Sequence, residues 1–356
     1  MPAKSFWRSA IGDPSVSATK DLYSPKWAIS KSDGVATAGS CFAQHIGRNL
    51  KKLDFRVLDL EPPPPTLPPS SHADFGYSLY SARYGNIYTT RQLLQLAQEA
   101  VGERNPGEIV WAKGDSYFDA LRPSVEPDGL STRDAVLAHR KLHLDAVRAM
   151  LVTADVLVFT LGLTECWVHR ESQTVFPSAP GTSAGAYDPD QYAFLNLRFY
   201  DVWSDWLAFR ELVRALRGRD DVRYLLTVSP VPLTATATGR HALEATTYSK
   251  SVLRAVAGQI AQTYDDTDYY PSYEIITNPW STSDYFEANR RSVAASGVHV
   301  AMKTFIEAHG YASTDEHSAP DEATILLKAT VVDGASTDDT RVVCDEELLD
   351  AFGPKS

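Results

Sequence analysis

Short apolar runs bounded by turn formers alternate along the chain with longer stretches in which apolar residues recur every three or four positions. Residues 34–39 (GVATAG) are small and apolar with glycine at both ends, the pattern of a buried strand. Residues 42–53 carry Phe42, Ile46, Leu50 and Leu53 at helical spacing. Residues 55–60 (FRVLDL) read as a second strand. Further helices are predicted over 91–102, 132–154, 203–219 and 248–264, and further strands over 155–163, 223–232 and 269–277. The last three of those helices each lead into the next strand, and such alternation predicts a parallel sheet covered on both faces.

Other segments interrupt this rhythm. Residues 61–70 (EPPPPTLPPS) hold too many prolines for a helix or a central strand and read as an extended surface connector. Residues 1–33 are a polar lead-in rich in turn formers. After Ala312 the chain becomes acidic and turn-rich. The organisation expected is therefore one α/β domain over residues 1–312 and a small C-terminal appendage over 313–356, with no internal repeat.

Composition narrows the function classes. With 356 residues, 44% of them hydrophobic, the chain can bury a sizeable core. Its net charge of −11 argues against a nucleic-acid partner, which calls for a basic face. The longest apolar run, VLVFTLGL, is far short of the roughly 18 residues of a membrane helix, so no membrane span is expected. The N-terminus lacks the apolar core of a signal peptide, and a cytoplasmic location follows by default. Three widely separated cysteines, Cys41, Cys166 and Cys344, indicate neither a disulfide framework nor a zinc site.

The candidate chemistry begins at the turn Gly39-Ser40-Cys41. It sits at the carboxyl end of the first strand, where doubly wound sheets place their sites, and it opens a helix. Helix N-terminal N–H groups favour negative charge and lower the pKa of a nearby thiol, so Ser40 and Cys41 are both candidate nucleophiles. A capping serine beside a buried cysteine explains the same turn without chemistry. Other strand ends add to the rim. Gly162, Thr164 and Glu165 close the strand at 155–163, and His241 follows the one at 223–232. Glu274 lies within 269–277, with His299 beyond it. Gly85 and Asn86 supply a backbone N–H and a side-chain amide, the donor types of an oxyanion hole.

The stretch GSCFAQHIGRNL resembles the signature of the GSCFA family, a bacterial family grouped with the SGNH/GDSL hydrolase-like superfamily. YGNIYTTRQLLQL, FTLGLTECW, SPVPLTAT, TYSKSVLRAV and YYPSYEIIT resemble further blocks of that family in the same order, over roughly residues 30–305. The resemblance implies a flavodoxin-like three-layer α/β/α domain with a parallel central sheet, and ester hydrolysis or acyl transfer, often on carbohydrates or lipids. Laying Gly39 on the glycine of the superfamily's G-D-S turn puts Cys41 at the nucleophile. That register favours Cys41 over Ser40 and implies a thioester intermediate. The superfamily's G-x-N-D block appears here as Gly162-Leu163-Thr164-Glu165, so the amide donor passes to Asn86. Its D-x-x-H block is missing, with Ser296 where the aspartate belongs. The base is then His299, with His241 as a rival, and the orienting carboxylate is Glu274 or Glu165.

The function expected is an acyl-transfer enzyme, an esterase or carbohydrate O-acyltransferase, acting on a small-molecule or carbohydrate substrate. An acyl-CoA donor is admitted, and neither a tightly bound cofactor nor a metal is implied. The alternative is a non-catalytic carbohydrate-binding module that stacks sugars on Trp167, Trp280 and Tyr285. The sequence sets no oligomeric state.

Overall fold

The computed structural model describes residues 1–13, 17, 19–107, 109–281 and 283–311. The appendage expected at 313–356, and Cys344 with it, lies outside the described residues. The first part of the chain forms α1 (Trp7–Ala10), β1 (Val35–Gly39), α2 (Phe42–Lys52) and α3 (Thr90–Ala100). A hairpin of β2 (Val110–Lys113) and β3 (Ser116–Asp119) precedes α4 (Arg133–Thr153) and β4 (Val156–Leu161). Three short strands follow, β5 (Glu165–His169), β6 (Val175–Phe176) and β7 (Tyr192–Asn196). The chain then runs through α5 (Phe199–Arg217), β8 (Arg223–Val228), α6 (Ala242–Thr263), β9 (Thr267–Tyr269), α7 (Ser272–Thr277) and α8 (Ala295–Ala308).

Four of these strands make the central parallel sheet, in the order β1-β4-β8-β9. Val35 also pairs in parallel with Val57, which leaves a one-residue edge strand outside β1. Counting that edge, the order is the 2-1-3-4-5 of flavodoxin-like sheets, whose direction of winding reverses between the first and third strands. Here that crevice falls between the carboxyl ends of β1 and β4.

The strands are apolar throughout because both faces are covered. Val35, Val156, Val158 and Leu225 pack against Phe42, Ile46 and Leu50 of α2 and Met302 and Phe305 of α8. Their neighbours Ala36, Ala38, Leu157, Phe159 and Leu226 face the other way, into a core with Leu93, Val147, Trp206, Phe209 and Leu253 from α3 to α6. Trp206 is fully buried there, stacked on Phe159 at 6.0 Å and edge-on to Tyr224 at 5.5 Å. The result is a three-layer α/β/α fold. The β2–β3 hairpin and the antiparallel β6-β5-β7 sheet share a small core of Trp111, Phe118, Phe176 and Tyr192. Among the described residues no helix is long and apolar enough to cross a membrane.

Three sequence expectations are corrected. Residues 55–60 pair only at Val57. The stretch 269–277 is not one strand: β9 ends at Tyr269, and α7 begins after Pro271. Its buried positions, Ser272, Ile275 and Ile276, have helical rather than alternating spacing. The helix expected at 248–264 starts earlier, at Ala242, because His241 caps it by accepting the Leu243 N–H at 3.1 Å.

The proline-rich segment is largely exposed, but Glu61 at its head turns inward. Its carboxylate lies 2.7 Å from His143 Nδ1 and accepts from Arg83 N at 2.8 Å and Arg122 Nη1 at 3.4 Å. Burial alone would raise this carboxyl; the His143 and Arg83 hydrogen bonds and the Arg122 charge outweigh it and pull it down to about 2. His143 is fully buried, and that burial, with the charge of Arg122, pushes its imidazole down to about 4. A histidine lowered in the fold takes up its proton more readily when unfolded. Its contribution is therefore complete above the unfolded value near 6.5 and is lost as pH falls towards 4. The thermal midpoint should drop across that window, and His143→Gln should remove about one proton's worth of the slope. Midpoints measured from pH 8 to 4 check this; an unchanged slope in the variant contradicts it.

Candidate functional site

Four chain segments meet at the crevice between β1 and β4. The first is the turn after β1. Gly39 takes φ +132°, and Ser40 N donates to Thr160 O of β4 at 3.1 Å. A Cβ on Gly39 would lie 2.4 Å from that same Thr160 oxygen, so only glycine lets the two strands close at this point. Ala43 N then donates to Ser40 O, and α2 starts with Cys41 in its N-cap position.

The second segment runs beside this turn. Ile87 N donates to Gly39 O at 2.9 Å, and Tyr88 N to Gln92 Oε1 at 2.9 Å. Asn86 Oδ1 accepts from Tyr80 OH at 2.5 Å, and that hydroxyl accepts from Gln44 Nε2 of α2. Asn86 is thus tied to the first turn of the helix that Cys41 opens. The third segment follows β4. Gly162 N and Leu163 N both donate to Tyr88 O, at 3.0 and 3.1 Å. A Cβ on Gly162 would sit 3.0 Å from Ser40 Cβ and 3.1 Å from Tyr88 Cδ1, so Ser40 and Tyr88 close over this glycine. The fourth segment belongs to α6. Lys250 Nζ donates to Gly162 O at 2.6 Å, and Ser249 Oγ accepts from Thr164 N at 3.0 Å.

The centre of this arrangement is enclosed. Ser40 is 2% exposed and its Oγ has no hydrogen-bond partner among the described residues. Cys41 is 4% exposed, Asn86 2% and Lys250 2%. Buried hydroxyls are normally paired, and buried lysines are uncommon because the ammonium must be desolvated. Tyr88 and Leu163, with Leu233 and Ala245, form a small apolar cluster next to Ser40. Tyr88 and Leu163 also line an open cleft of about 190 Å³ together with Glu165, Trp167, Ser178 and Phe194.

The structure brings some of the expected residues together and leaves others apart. Gly39, Ser40, Cys41, Asn86, Gly162 and Thr164 converge on the crevice. Thr164 Oγ1 is engaged with Asn196 Oδ1 at 2.7 Å. Gly85 adopts φ +67° but faces Ser124 and Val125. Glu165 lies in the cleft, accepting from Thr236 Oγ1 at 2.7 Å and Ala237 N at 3.2 Å, and burial raises its carboxyl. Glu274 lies on α7, bound by Arg254 and by Tyr269 OH. His241 is exposed at its capping position. His299 is exposed on α8, and its side chain makes no hydrogen bond or ion pair among the described residues. Of the aromatic candidates, Trp167 lines the cleft, Trp280 meets Trp7 edge-on at 4.7 Å, and Tyr285 packs over Gly297. Sequence reasoning missed Lys250. The block TYSKSVLRAV contains it, but a lysine on an amphipathic helix reads as solvent-facing.

Compared with known protein families, residues 34–305 match the model of the GSCFA family. No curated protein and no solved structure matches the chain.

Proposed function

The chain belongs to the GSCFA family, and from that membership and the geometry around Gly162 we propose that it is an acyl-transfer enzyme of the SGNH/GDSL hydrolase-like kind, an esterase or carbohydrate O-acyltransferase, with Ser40 as its nucleophile. The observation that carries the reading is the unpartnered Ser40 hydroxyl, buried at the winding switch of the sheet against Gly162, whose carbonyl accepts from the buried Lys250. Ser40 Oγ attacks an ester carbonyl, the tetrahedral intermediate expels the alcohol, and an acyl-serine remains. Water or a sugar hydroxyl then takes the acyl group. Backbone N–H groups at the start of α2 and the Asn86 amide are the oxyanion donors. Lys250 takes the serine proton and returns it to the leaving oxygen, a role that desolvated lysines can fill. It replaces the expected histidine, since His241 and His299 both face solvent. Ser40 is preferred to Cys41 because Gly162, which Lys250 holds through its carbonyl, packs on Ser40 Cβ. An acyl-CoA donor and a cytoplasmic setting fit the same reading.

One observation favours a second reading. Ser40 is 2% exposed, with Tyr88 near it across Gly162, and a substrate reaches it only if the side chains that cover it turn aside. Without such a turn the fold is a binding module whose cleft holds a carbohydrate and whose Ser40 is inert.

Lys250 separates the two. Lys250→Met should lower kcat for a p-nitrophenyl ester by about 10²- to 10⁴-fold, the usual worth of a general base, with little change in KM. Lys250→Arg should not restore it, since arginine stays protonated. A Lys250→Met enzyme with the wild-type rate and pH profile overturns the assignment.

A further inference from the structure

The cleft lined by Tyr88 and Leu163 restricts what kind of ligand it can hold. Its walls are Trp167, Phe194, Leu163, Leu233, Tyr88 and Pro177, a mostly apolar and aromatic set. Trp167 is held edge-on by Phe194 at 5.8 Å and by Tyr187 at 5.2 Å, so its ring is fixed before any ligand arrives. Glu165, Thr236 and Ser178 interrupt the apolar lining, and Tyr88, Trp167 and Cys166 each add one polar atom to it. Glu165 and Thr236 satisfy one another, and the second Glu165 oxygen is taken by Ala237 N. The third, Ser178, has a buried Oγ with no partner among the described residues. The lining is therefore mostly apolar, with few polar groups and a carboxylate that disfavours an anion.

A carbohydrate has hydroxyls on every edge, and burying them against these walls would strand several of them. An apolar ligand with a single polar end strands none. Size sets the other limit. An apolar cavity of about 150 Å³ takes a molecule such as benzene. The cleft has about 190 Å³, which fits a chain or ring of that size and not a long fatty chain.

We propose that this cleft is the acyl subsite and takes a short, neutral acyl group. The inference deepens the acyl-transfer reading and rests on it for the word acyl; the shape and charge stand without it. Tyr88 lines the cleft and lies near Ser40 across Gly162, so a group held there lies close to the hydroxyl. Glu165 in the lining accounts for the neutrality. Its carboxylate, half-buried, opposes a free fatty acid more than an ester or amide of the same length.

The test uses ligands that are not turned over, so that a failure of the cleft and a failure of the chemistry are told apart. The full-length protein is titrated with acetamide, hexanamide and dodecanamide, with hexanoate, and with glucose. Binding is read from tryptophan fluorescence and from the thermal midpoint. Hexanamide should bind more tightly than acetamide, and dodecanamide no more tightly than hexanamide. Hexanoate should bind about tenfold more weakly than hexanamide, roughly what one opposing charge imposes near a protein surface. Glucose should not bind. The fluorescence response should vanish in Trp167→Phe, whose midpoint shift should persist. Binding should be lost in Ala235→Trp, which fills the cleft from an exposed position, and retained in Ser40→Ala. Hexanamide binding unchanged in Ala235→Trp, affinity that keeps rising to dodecanamide, or glucose bound in preference each overturns the assignment. If hexanamide binds as expected but no variant or wild-type protein turns over esters, the subsite survives and the acyl-transfer reading falls.

Discussion

Ser40→Ala should lower kcat for ester hydrolysis by about 10⁴- to 10⁶-fold, the range in which loss of a nucleophile acting as part of a unit falls. Cys41→Ala should stay within about tenfold of wild type, since a neighbouring thiol that does not attack the substrate contributes no covalent step. The contrast matters more than either number. The register of the G-D-S turn favours Cys41, and both side chains are almost fully buried. What separates them is surroundings. Ser40 Cβ packs on Gly162, whose carbonyl holds the Lys250 amine, and its hydroxyl has no partner among the described residues. Steady-state rates for the two variants, with circular dichroism to confirm folding, decide the matter. Full activity in Ser40→Ala with loss in Cys41→Ala would reverse the assignment and restore a thioester mechanism.

Gly39→Ala should cost more than about 4 kcal/mol, enough to leave the protein largely unfolded if its stability is ordinary. Two terms combine. The φ of +132° strains any residue with a Cβ. The added methyl would also lie 2.4 Å from Thr160 O and 2.6 Å from Thr160 N. Those atoms belong to β4, so relief means parting β1 from β4 at the crevice itself. Gly102→Ala separates the terms, because Gly102 also has positive φ (+79°) but nothing within 4 Å of the added methyl. It should cost only about 1 kcal/mol, the backbone part alone. Denaturant midpoints of the two variants provide the comparison. A Gly39→Ala protein no less stable than Gly102→Ala would mean that the β1–β4 junction yields easily, and the rigid crevice would be lost as an argument.

Much of the scaffold was legible. The glycine-bounded run ending at Gly39 and the apolar run ending near Gly162 are the β1 and β4 whose ends form the crevice, because strands buried on both faces must be apolar throughout. The small β layer escaped notice although its signal is present. In β5, Cys166 and Val168 are buried between partly exposed Glu165, Trp167 and His169, a period of two that the preceding apolar run obscures. The stretch YYPSYEIIT misled because aromatic and β-branched residues favour strands, while Pro271 in fact starts a helix. The site was legible in its residue types more than in their positions. Which of two adjacent side chains faces Gly162 depends on a local turn that spacing does not encode. His241 and His299 have the right chemistry, but a cap and solvent claim them. Lys250 was invisible because its burial follows from packing α6 onto the end of β4, a tertiary fact with no local mark.

The most direct test of Ser40 as nucleophile is the intact mass of the protein after exposure to a fluorophosphonate, which loses fluoride as an activated hydroxyl bonds to phosphorus. Wild type and Cys41→Ala should each gain one phosphonyl group, mapped to Ser40, and Ser40→Ala should gain none. No adduct on the wild type, or an adduct that persists in Ser40→Ala, would contradict the account.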